Sequence, residues 1–114
     1  MDVKKTKVWI IDIQTRWMEG LLSGEKKVEG KRNSKTWYGM KVGDEISFRC
    51  DGQTLSMRIV AIRKYKTLRR YLEAEGLLRT LPGVLTIKEG IALYREYWTK
   101  EEIIRDGILA IEVE

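Results

Sequence analysis

Glu45-Ile46-Ser47-Phe48-Arg49-Cys50-Asp51-Gly52-Gln53-Thr54-Leu55-Ser56-Met57-Arg58-Ile59-Val60-Ala61-Ile62 is the stretch that decides the fold class. Ile46, Phe48 and Cys50 alternate with Glu45, Ser47 and Arg49, the period of a strand with one dry face and one wet face. Asp51-Gly52 supplies the positive φ angles of a two-residue hairpin turn, and Leu55, Met57, Ile59 and Ala61 continue the inward face. From Ile59 to Ile62 both faces are apolar, so a helix or second layer covers the outer side there. The pattern predicts strands near 45–50 and 55–65.

Outward from the hairpin, Val8-Trp9-Ile10-Ile11-Asp12-Ile13 is rich in β-branched and aromatic residues and predicts a first strand in a central place. Thr15 can cap a short helix whose stripe is Trp17, Met18, Leu21 and Leu22, with Gly24 in the left-handed position that ends it. Residues 25–32 follow as an extended run of alternating charge, and Asn33-Ser34 and Gly39 mark a loop. Beyond the hairpin, Thr67 starts a helix through Leu68, Tyr71 and Leu72 that closes at Gly76, and Pro82-Gly83 turns the chain. Thr86 with Glu89 makes a capping box for a helix striped by Ile87, Ile91, Tyr94 and Trp98. Thr99 with Glu102 repeats the signal before a single-turn helix, and Gly107 releases the chain into the strand Ile108 to Val113. Strands at both ends with helices between them imply an α+β domain whose first and last strands can meet in a small mixed or antiparallel β-barrel, with helices packed at its ends and side.

Composition narrows the chemistry. A length of 114 residues suits one domain, 1–114, able to bury its own core without metal or disulfide. No long apolar run and no leader pattern is present, so the expectation is an intracellular protein, cytoplasmic, or nuclear in a eukaryote, with no membrane partner. The lone Cys50 fits a buried strand position. The chain has no histidine, which removes Ser-His and Cys-His nucleophiles and most catalytic zinc arrangements. Lys and Arg outnumber Asp and Glu by six to two over residues 24–41 and by eight to three over 49–80, whereas 81–114 holds four against seven. That basic excess, within a net charge of +5, suits a partner bearing phosphates; a solvated surface is the plainer alternative.

Gly24-x-Lys26-x-x-Glu29-x-Lys31 then takes on meaning. The run resembles the Gly-x-Lys-x-x-Glu-x-Arg motif of the ASCH domain family, a branch of the PUA-like β-barrels. Further landmarks stand in family order: Val42-Gly43-Asp44, the strand Ile59 to Ile62 leading to Tyr65, Glu75-Gly76, Leu81-Pro82-Gly83, Glu89-Gly90-Ile91 with Tyr94 and Tyr97, and Gly107 to Ile111. The likeness spans roughly residues 7–113. It implies a cleft associated with RNA, floored by residues 24–32. Lys31 departs from the family's arginine, exchanging a bidentate fork for a point charge. Small bacterial members hydrolyse the acetyl amide of acetylated cytidine with a lysine, a threonine and a glutamate. Lys26 matches that lysine, Glu29 stands at the threonine, and no counterpart of the glutamate is found near Leu81-Pro82-Gly83.

The expected function is a module binding RNA, or another single-stranded or modified nucleic acid, as a monomer and with no cofactor or metal. Lys26, Lys31, Arg32 and Lys35 supply charge, Glu29 accepts from a base edge or orients Lys26, and Trp37 and Tyr97 offer stacking faces. The rival is a metal-free hydrolase of a modified nucleoside, or a weak ribonuclease, with Lys26 and Glu29 as its catalytic residues. A protein-interaction adaptor is a third reading. Bland readings of the same residues stay open: Lys26 and Glu29 as a structural ion pair, Trp37 as a loop anchor, Tyr94 and Trp98 as core. The cations Arg63, Lys64, Lys66, Arg69 and Arg70 either converge at a strand end or are merely solvated.

Overall fold

The computed structural model describes residues 6–114. In chain order the elements are β1 (Val8–Asp12), α1 (Thr15–Ser23), β2 (Val28–Arg32), β3 (Glu45–Cys50), β4 (Gln53–Tyr65), α2 (Leu68–Glu75), α3 (Leu77–Thr80), α4 (Ile87–Arg95), α5 (Lys100–Asp106) and β5 (Ile108–Val113). A 3-10 turn covers Lys35–Trp37. The strands form one mixed, curled half-barrel in the order β1-β3-β4-β5-β2, with β1 parallel to β3 and the other three pairings antiparallel.

The hairpin forms as its sequence predicts: Cys50 pairs with Gln53 across Asp51 and Gly52, at φ 47° and 79°. β4 is long enough to serve two neighbours, and a register shift between Ile59 and Ala61 bends it from β3 towards β5. β5 is buried at every residue but the half-buried Glu112. Leu109, Ile111 and Val113 enter a core inside the curl, which Met18 and Leu21 of α1 plug. Ile108 and Ala110 enter a second core with Val28 of β2, Tyr71 of α2, Tyr94 of α4 and Ile103 of α5.

Several expectations change. β1 is an edge strand, not a central one: Trp9 and Ile11 are buried, while Val8 and Ile10 stand half exposed on the outer face and only imitate a two-sided strand. The first and last strands share a core but no hydrogen bonds, because β5 pairs with β4 and β2. Gln14 holds the cap position of α1 and Thr15 is its first helical residue. The charged run is a fifth strand, β2, along β5. Asp44, in the Gly-Asp turn, fastens β1 to β3: its buried carboxylate accepts from Trp9 Nε1 at 3.0 Å, Lys41 N at 3.1 Å and Lys7 N at 3.2 Å. Burial pushes the Asp44 carboxyl up, but the bonds from Trp9, Lys41 and Lys7 outweigh it and hold it below the usual range.

Candidate nucleic-acid interface

The curl leaves a seam between its two edge strands, β1 and β2. Trp37 fills one part of it, with its ring 6.1 Å from that of Trp9 and 6.0 Å from Lys31 Nζ. Elsewhere along the seam opens a cleft of about 450 Å³. Asp12 and Ile13 from the end of β1 line it, with Gln14, Arg16 and Trp17 around the start of α1 and Lys26, Glu29, Gly30 and Lys31 in and before β2. Leu81, Leu93, Tyr94 and Glu96 to Trp98 form the far wall. Such a volume holds a compact ligand, and four aromatic side chains face three cationic and three anionic ones.

Local geometry sets Lys26 and Glu29 together. Gly24, at φ 86°, ends α1 and turns the chain, so Lys26 lies in the bend before β2 and escapes the alternation that would send it to the opposite face. Lys26 is 1% exposed, and its Nζ donates to Thr80 O at 2.6 Å and Val28 O at 2.7 Å and pairs with Glu29 Oε1 at 3.2 Å. Three acceptors thus meet the three N–H groups of one ammonium. Burial pulls the Lys26 pKa below the ordinary lysine value, and Glu29 opposes that pull.

The aromatic wall is anchored from below. Tyr94 stacks on Trp98 with ring centroids 5.3 Å apart and shares a 2.8 Å hydroxyl contact with Tyr71. Burial, reinforced by the charge of Glu29, pushes the Tyr94 phenol up, so it stays protonated and neutral. Tyr97 is exposed at the rim, where Gln14 Nε2 donates to its hydroxyl and links the two walls. Arg16 lies 4.6 Å from the Trp17 ring.

Of the residues singled out from sequence, Lys26, Glu29, Lys31 and Tyr97 come together in the cleft. Arg32, Lys35 and Trp37 do not line it. Arg32, on the other face of β2, binds Asp106 at 2.6 Å and Glu102 at 3.5 Å. Lys35 is exposed on the 3-10 turn, and Trp37 packs against the inner core. The cations of residues 63–70 do not converge there either: Arg63 binds Glu75 and Glu112, and Arg69 pairs with Glu73. Sequence reasoning missed Asp12, Gln14, Arg16, Trp17, Leu93 and Glu96 as cleft residues; Tyr94 and Trp98 belong to the second core, as their helical spacing predicts, and line the cleft as well. The available signal was position, since Asp12 to Trp17 is where a strand passes into a helix beside the motif. Among the described residues no group of three or more His, Cys, Asp or Glu is placed to hold a metal ion, and no helix is long and apolar enough to cross a membrane.

Two solved structures resemble this chain over 94% of its length. The crystal structure of the hypothetical protein PH0355 is 34% identical over 94% of this chain and 97% of that one, with a TM-score of 0.88. The solution NMR structure of PF0455 from Pyrococcus furiosus is 39% identical over 94% and 96%, with a TM-score of 0.79. The chain belongs to the family of these two proteins. A crystal structure of a mutant ZmASCH protein from Zymomonas mobilis matches 98% of this chain and 70% of its own at a TM-score of 0.67, and at 15% identity it shows a shared fold. No protein-family model matches the sequence, and no curated protein does. The curled mixed sheet with its helices is therefore a fold shared with that ASCH protein, in line with the small α+β barrel expected from the sequence.

Proposed function

We propose that this chain is an ASCH-type domain that binds RNA, or another single-stranded nucleic acid, by taking one unstacked base or nucleoside into the cleft. The observation that carries the reading is Glu29. Its carboxylate, held by the buried Lys26, lines an aromatic-walled cleft sized for a small planar ligand. Single-stranded recognition works in this way, with splayed bases stacking on aromatic rings and donating to fixed acceptors. In this reading Trp17 and Trp98 give stacking faces, Glu29 accepts from the base edge, Lys31 meets a phosphate and Lys26 positions Glu29. The balance of charge in the cleft makes the base, and not the backbone, the main determinant, so the salt dependence of binding is shallow.

Tryptophan fluorescence tests this directly, because two of the four tryptophans line the cleft. A short single-stranded RNA quenches the wild type, and Glu29→Gln weakens its binding by about tenfold, the cost of exchanging a charged acceptor for a neutral one. Unquenched fluorescence at millimolar RNA and nucleoside sinks the proposal.

One observation favours the hydrolase reading: a lysine with a lowered pKa lies in the cleft. Its three protons are committed to Val28, Thr80 and Glu29, which leaves Glu29 as the group able to act on a ligand. Wild-type hydrolysis of acetylated cytidine that Glu29→Gln abolishes while binding survives would put catalysis in place of binding.

A further inference from the structure

β2 is an edge strand, and the direction of its backbone groups can be read from its partner. Val113 N donates to Lys27 O at 2.9 Å and Asn33 N to Gly107 O at 3.0 Å, at the two ends of a register that sets Gly30 opposite Ala110. Antiparallel pairs alternate between bonded and non-bonded residues, so Glu29 and Lys31 bond to β5 while Val28, Gly30 and Arg32 turn their N–H and C=O to the free edge. Two of these carbonyls show that direction: Val28 O accepts from Lys26 Nζ at 2.7 Å and Arg32 O from Ser34 N at 2.7 Å. Gly30 N–H and C=O, between them, find no partner among the described residues, although Gly30 is buried and lines the cleft. A buried backbone donor and acceptor both left unpaired is uncommon, and it marks a place where something else completes the bonding.

We propose that this free donor and acceptor of Gly30 read the Watson–Crick edge of the base, which must therefore be unpaired. The inference rests on the base-binding reading above and adds the recognising group. In an extended strand the N–H and C=O of one residue point the same way and match an adjacent acceptor and donor. Each standard base offers that combination on its Watson–Crick edge, and single-stranded RNA is read there. An added peptide strand does not fit, because the flanking carbonyls of Val28 and Arg32 are already occupied. A glycine is needed on the other account too: a Cβ at residue 30 would lie 2.9 Å from the Tyr94 hydroxyl and closer still to that of Tyr71, so the strand rests on the two phenols.

The test uses the ¹⁵N-labelled chain and two pairs of neutral nucleosides: uridine with N3-methyluridine, and guanosine with N1-methylguanosine. Uridine or guanosine shifts the Gly30 amide signal together with the Trp17 and Trp98 indole signals, and the methylated partner binds about tenfold more weakly or worse, having lost the donor that faces the Gly30 carbonyl. If parent and methylated nucleosides shift the indoles equally while the Gly30 amide stays still, the base is held by stacking alone; the Gly30 proposal then falls and the cleft reading stands. If no nucleoside moves any cleft signal, both fall.

Discussion

Lys26 with Glu29, and Arg63 with Glu75 and Glu112, are two charge clusters built on the same sheet to opposite designs. Arg63 forks onto Glu75 with two bonds of 2.7 Å and reaches Glu112 at 2.6 Å; Tyr65 donates to Glu75 at 2.5 Å, and Arg79 pairs with Glu112 at 3.1 Å. Each carboxylate meets several donors, and the bond from Arg63, foremost, holds both Glu75 and Glu112 below the usual carboxylate range. The cleft pair instead buries its cation among two carbonyls and one carboxylate, and that carboxylate lines open space. One cluster is closed upon itself; the other is closed around the lysine and open at the glutamate. A protein has reason to sustain the second arrangement where the open carboxylate has a ligand to meet.

The largest expected effect comes from breaking the cleft pair. Lys26→Met strands two buried carbonyls and leaves the Glu29 carboxylate without its cation, and removing one partner of a buried pair costs roughly 3–5 kcal/mol. Urea denaturation should show it as a lower midpoint, with much of the loss recovered when Glu29→Gln is added, since the orphaned charge is then gone. Wild-type stability in Lys26→Met would show that water reaches the pair and would erase the distinction between the two clusters.

Acidity separates the clusters next, at opposite ends of the pH scale. The folded pKa of Glu75 is lowered from 4.5, so its contribution is complete above that value and is lost as pH falls through the folded value. Arg63→Met should flatten this acid limb. Lys26 is shifted the other way: its folded pKa is lowered from 10.5, so in the window below 10.5 the unfolded chain binds more protons and stability rises with pH. Thermal melts in alkaline buffers should retain that rise in Arg63→Met and lose it in Lys26→Met. A fall with pH in the wild type through that window would reverse the assignment.

What the sequence discloses and what it hides follow the same division between local and distant causes. The hairpin is legible because period-two alternation and Asp51-Gly52 are local, and the meeting of Lys26 with Glu29 is legible through the bend at Gly24. α3 is hidden because Leu77–Thr80 is one turn, too short for a stripe. Trp17 is hidden because it shares helical spacing with Met18 and Leu21; only the approach of residues 93–98 to the start of α1 turns it into a wall of the cleft. Arg32 looks free in sequence because the carboxylate that takes its charge, Asp106, is 74 residues away.

Arg32 and its neighbour Lys31 therefore give the finest comparison, and the smallest effect. Alternation along β2 sends Lys31 to the cleft and Arg32 to the opposite face. Arg105 foremost, with Arg32, holds Asp106 down at about 2, so the Arg32 guanidinium belongs to a structural cluster like that of Arg63. Lys31 Nζ lies 6.0 Å from the Trp37 ring, forms no salt bridge among the described residues, and is free to meet a phosphate. Lys31→Ala should leave the melting temperature almost unchanged, as surface substitutions usually do, and lower the slope of log affinity for single-stranded RNA against log salt by about one. Arg32→Ala should do the reverse, lowering the melting temperature while the salt slope holds. Equal changes of slope in both would mean that the nucleic acid reaches across the edge of β2 to both faces, and the separation between an open and a closed cluster would not hold at this strand.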